Sequence, residues 1–149
     1  MHRAFLRALP GLFCALGLVC AGCGGPSRPP VQPATGQVFQ KSTPVAGAFL
    51  VFHPASAELQ KAMEARPFAW VQPDGSFTLT TYEEGDGAPE GDYGVTVVWN
   101  PPAKSAGPRI RDGGAALPDK LDGRYGNPQK PRLKATVAKG QNTFRFDLD

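Results

Sequence analysis

From Thr35 to the C-terminus the apolar residues recur at every second position, and this period admits strands far more readily than helices. In Ala46 to His53, Ala48, Leu50 and Phe52 share one face while Phe49, Val51 and His53 share the other. In Ser76 to Thr81, Phe77 and Leu79 alternate with Thr78 and Thr80. Gly91 to Trp99 sets Tyr93, Val95, Val97 and Trp99 on one side, and Leu133, Ala135 and Val137 alternate with Lys134, Thr136 and Ala138. At the end, Phe144, Phe146 and Leu148 face one way while Arg145 and Asp147 face water. With Gly36 to Gln40 and Phe68 to Val71 this makes about seven short strands, bounded by Gly, Pro and Asn. Strands with one dry and one wet face suit two antiparallel sheets packed face to face. The pattern predicts an all-β chain, an antiparallel β-sandwich spanning residues 35–149.

Two stretches depart from it. Ser56 to Ala65 predicts one short helix in a loop, with Ser56 as N-cap, Leu59 and Met63 on one face and Pro67 as the stop. Residues 100–131 carry many Gly and Pro and predict a long irregular excursion, with one helical turn at Leu117 to Leu121 and Tyr125 as its anchor on the sandwich. Thr43-Pro44 is read as a turn. Asp74-Gly75 is the clearest turn signal, with Trp70 and Val71 expected to pair with Phe77 and Leu79 as a hairpin.

The first thirty-four residues are of another kind. Arg3 and Arg7 precede an uncharged apolar run from Leu9 to Cys20, the length of a secretory h-region and short of the roughly 20 residues a spanning helix needs. Residues 1–22 are therefore read as a signal peptide. Ala21-Gly22-Cys23 resembles the lipobox of bacterial lipoproteins, with Cys20 where Leu is usual, which implies lipidation at Cys23. Gly24 after the cysteine leans toward an outer-membrane address by the same resemblance. Residues 24–34 are rich in Gly, Pro and Ser and are read, with Cys23, as an anchored flexible tether. All three cysteines (Cys14, Cys20 and Cys23) lie at or before the cleavage site, so no disulfide can staple the body. Removing residues 1–22 takes two arginines and no acid, leaving 14 basic against 13 acidic side chains. With no basic run, nucleic-acid binding has no support.

Four segments resemble one known family. Gly36-Gln37-Val38, Pro44 to Phe52, Asp74-Gly75-Ser76-Phe77 and Gly91 to Val97 are similar to the carboxypeptidase regulatory-like domain, with its G-x-V, P-x-x-G-A-x-V, D-G-x-F and G-x-Y-x-V-x-V signatures. The resemblance covers roughly Thr35 to Trp99 and implies a transthyretin-like, prealbumin-type sandwich. It implies no reaction, since such domains are accessory or structural.

The chain offers little for chemistry. His2 leaves with the signal peptide, so His53 is the only histidine in the body, too few for a histidine-built zinc site. No nucleophile elbow, phosphate loop or dinucleotide fingerprint occurs. The one charge cluster, Glu83, Glu84, Asp86, Glu90 and Asp92, is a candidate weak cation loop, because calcium takes hard oxygen donors from flexible loops. Phe49 and Trp99 are weighed as platforms for a sugar or peptide, with core packing the favoured alternative. The expectation is a monomeric, non-catalytic binding or structural module of the cell envelope, without metal or cofactor. Its partners would be the membrane, through Cys23, and an envelope protein or glycan. A calcium- or carbohydrate-binding accessory domain and, further off, a hydrolase are the alternatives.

Overall fold

The computed structural model describes residues 28–100 and 118–149; the segment read as a signal peptide and Cys23 lie outside them, as do residues 101–117. The strands are β1 (Val31–Gln32), β2 (Ala34–Gln40), β3 (Thr43–Pro44) and β4 (Phe49–Pro54), followed by helix α1 (Ala57–Ala62). Then come β5 (Phe68–Trp70), β6 (Ser76–Thr78), β7 (Ala88–Pro89), β8 (Gly91–Val98), β9 (Leu133–Val137) and β10 (Asn142–Leu148). One sheet runs β5-β4-β8-β9, all antiparallel. In the other, β2 has β10 on one edge and both β3 and β6 on the opposite edge. A two-stranded ladder joins β1 to β7. No helix among the described residues is long and apolar enough to cross a membrane.

The alternation places the core as expected. Leu50, Phe52, Val95 and Val97 from the first sheet and Val38, Phe77 and Leu148 from the second are almost wholly buried. Phe52 stands where the sheets meet. Its ring centre lies 6.5 Å from Phe77, 5.7 Å from Phe144 and 6.2 Å from Phe146, and the Tyr93 ring meets it nearly edge-on at 5.9 Å. Burying one such side chain contributes about 1.5–3 kcal/mol, and with no cysteine in the body this packing must hold the fold.

One pairing differs from the antiparallel expectation. β10 lies parallel to β2, in register from Asn142↔Ala34 to Leu148↔Gln40. Alternation is identical in parallel and antiparallel strands, so it reports the face a residue occupies and not the direction of its neighbour. Strand structure is also present before residue 35. Val31 and Gln32 pair with Pro89 and Ala88, the Gln32 amide donates to Glu90 at 3.1 Å, and Arg28 forms an ion pair with Glu64 at 2.7 Å. Part of the segment read as tether is therefore strand.

Local signals fare unevenly. The Ser56 hydroxyl accepts the Leu59 N–H at 3.1 Å, the capping geometry the sequence predicts. The helix ends at Ala62, before the expected stop at Pro67. Met63 is already extended, at φ −92° and ψ 132°, and its N–H closes the last turn on the Leu59 carbonyl. The chain then runs toward β5, where the Pro67 carbonyl accepts the Phe52 N–H at 2.8 Å.

The Asp74-Gly75 turn forms, but of the two only Gly75 has positive φ, at +87°. The Gly75 N–H donates to the Gln72 carbonyl and the Gln72 N–H to the Ser76 carbonyl, a three-residue loop closed by a left-handed glycine. The tightest hairpin lies elsewhere, at Lys41 and Ser42, whose φ values of 46° and 67° join β2 to β3. Thr43-Pro44, read as a turn, is strand. Of the helical turn expected at Leu117 to Leu121, Leu117 lies outside the described residues, and residues 120–125 run as successive turns. The Asp119 carboxylate organises them by accepting the N–H groups of Trp99, Leu121 and Gly123 at 2.9, 3.1 and 2.9 Å. Tyr125 is buried and its hydroxyl accepts the Asp149 N–H at 3.0 Å, as its anchoring role requires.

Candidate functional site

The outer face of the sheet β5-β4-β8-β9 is uneven. At one end Pro131 covers Gly94, where a Cβ would meet the proline Cγ at 2.4 Å, and Thr96 is buried. His53 is half-buried there, with Nε2 2.9 Å from the Thr96 hydroxyl. Burial, and then the Arg66 charge, lowers the pKa of His53 below its ordinary value.

The other end is open and aromatic. Phe68 and Trp70 flank inward-facing Ala69, and register sets Trp70 directly across from Phe49. The Phe49 and Trp70 ring centres are 4.6 Å apart, and Phe49 and Phe68 are 5.8 Å apart. Trp70 remains 58% exposed, the one large hydrophobic side chain so exposed among the described residues. Burying it on a partner would remove more apolar surface from water than any neighbouring side chain offers.

Beside Trp70 the expected hairpin is split. Phe68 and Thr80 exchange two backbone hydrogen bonds at 2.9 Å, and Gln72 donates to Ser76 at 2.8 Å. Between these closures no ladder pair joins Trp70 to Thr78, because β5 pairs with β4 and β6 with β2. Since backbone groups two residues apart point the same way, those of Trp70 and Thr78 face the gap. A cleft of about 640 Å³ occupies it, lined by Phe68, Trp70, Gln72, Thr78 and Glu84 among others.

The residues singled out from sequence are dispersed. Cys23 lies outside the described residues. The five carboxylates of the acidic loop do not converge. Asp86 accepts the N–H groups of Thr81, Tyr82 and Glu83 at 2.7, 2.9 and 3.0 Å. Glu90 accepts from Gln32 and Asp92 from the Thr136 hydroxyl, while Glu83 and Glu84 are exposed. Among the described residues no group of three or more His, Cys, Asp or Glu is placed to hold a metal ion. Trp99 is engaged rather than free: its indole N–H donates to the Ala46 carbonyl at 2.9 Å and Lys120 Nζ sits 4.7 Å from its ring centre. Phe49 is half-buried against Trp70. Trp70 itself was not singled out from sequence; the alternation around Ala69 is the signal for it, since it sends both flanking aromatics outward. No family model, curated protein or solved structure matches the chain.

Proposed function

We propose that this chain is a lipid-anchored module of the cell envelope, with residues 1–22 removed and Cys23 acylated. Its transthyretin-like β-sandwich binds a partner through the Trp70 face and catalyses nothing. The observation that carries the binding role is the exposed Trp70 packed at a tilt against Phe49. Anchoring rests on Ala21-Gly22-Cys23, and stable attachment takes two or more acyl chains at about 0.8 kcal/mol per buried methylene.

Mass spectrometry of the membrane fraction should yield an acylated peptide beginning at Cys23; a soluble, unmodified mature chain overturns the anchoring half. For binding, the purified chain is sedimented with isolated envelope fragments. Trp70→Ala should lower retention about tenfold, the loss expected for an aromatic at the centre of an interface. Equal retention overturns the binding half.

A further inference from the structure

We propose that the split between β5 and β6 is a saccharide subsite, which takes a neutral pyranose ring stacked on Trp70 and hydrogen-bonded to the two open strand edges. This rests on the reading of the Trp70 face as a binding surface. An exposed indole lies there beside two strand edges that no ladder pair joins. The alternation of the flanking ladders turns the N–H and C=O of Trp70 and of Thr78, both exposed residues, toward the cleft, where a ligand's hydroxyls can replace water on them.

The occupant follows from the shape of the opening. Phe68↔Thr80 closes one end and Gln72→Ser76 the other, so an extended peptide cannot thread the gap as an added strand. A ligand must enter from outside and present donors and acceptors within about one residue's length. Each sugar hydroxyl is both donor and acceptor, and the ring's C–H face matches an indole. Charge narrows the class further. Among the described residues Glu84 is the only ionised side chain lining the cleft, and no Lys, Arg or His lines it, so an anionic ligand has no counter-charge there. An adjoining cleft of about 540 Å³ shares Ser76, Phe77 and Thr78 and reaches Thr143, which provides room for further rings; its one cation, Arg145, is paired with Asp147 at 3.0 Å.

The test is tryptophan fluorescence of the detergent-solubilised full chain, titrated with neutral gluco-oligosaccharides of increasing length, a polyuronate oligomer and a capped hexapeptide. Neutral oligosaccharides should give a saturable emission shift that tightens with ring number. Trp70→Ala should abolish binding, read by calorimetry, and Trp70→Phe should retain part of it. Thr78→Pro deletes an N–H that faces the cleft while the Leu79 N–H to Ala34 bond is kept, and should weaken binding. Circular dichroism checks that variant's fold, and Thr78→Val, which keeps the backbone N–H, should bind as the wild type does. Saturation by the polyuronate or the peptide, with no response to neutral sugars, overturns the saccharide assignment. If no sugar binds while Trp70→Ala still loses envelope retention, the saccharide reading falls and the binding face stands.

Discussion

Gly36 and Phe77 are register partners across β2 and β6, and a Cβ placed on Gly36 would lie 2.5 Å from Cζ of the Phe77 ring and 2.6 Å from the Phe144 carbonyl oxygen. The second contact is with backbone of the parallel strand β10, which cannot swing aside as a side chain can. Gly36 is thus where three strands are allowed to approach.

Gly36→Ala should therefore destabilise the domain by about 1–3 kcal/mol, the range for overpacking a tight core. Thermal denaturation followed by circular dichroism reads this directly. An unchanged melting temperature would mean that β2, β6 and β10 do not meet as described.

The turn at Lys41 and Ser42 leads to the opposite expectation. Both residues have positive φ, which side chains other than Gly, Asn and Asp tolerate poorly. Replacing them together, Lys41→Asn with Ser42→Gly, should stabilise by about 0.5–2 kcal/mol, because both new residues suit a two-residue hairpin turn. A lower midpoint in chemical denaturation would contradict the assignment.

The acidic loop should divide into one structural carboxylate and several dispensable ones. Asp86→Ala orphans the N–H groups of Thr81, Tyr82 and Glu83 and should cost about 1–3 kcal/mol. Glu83→Gln and Glu84→Gln, both at exposed positions, should stay within about 0.5 kcal/mol. Added calcium should leave the melting temperature in place; a marked rise would show that these carboxylates do share an ion.

His53 gives a pH dependence whose sign is fixed. Its pKa is lowered in the folded chain by burial and by Arg66, whereas the unfolded chain takes up the proton near pH 6.5. Below that pH the unfolded state binds more protons than the folded one. The contribution is therefore fully present above about pH 6.5 and is lost as pH falls toward the lowered folded value. Melting temperatures measured between about pH 7 and 5 should decline less in His53→Gln than in the wild type, and identical slopes would remove His53 as the cause.

The sequence by itself determined which side chains go inward. Leu50, Phe52, Phe77, Leu79, Tyr93, Val95 and Val97, all read from alternation, are buried, and Ser56 caps its helix as its type and position imply. These are local properties, because a strand's two faces and a helix's first turn are defined within a few residues. Tertiary structure decided who neighbours whom. The parallel β2–β10 pair, the split between Trp70 and Thr78, and the long-range use of Asp119 by Trp99 each depend on where a distant segment returns. The candidate site belongs to this second class. Alternation turns Trp70 away from the core, but whether another layer covers it is a matter of packing between segments far apart in the chain, which no short window of residues encodes.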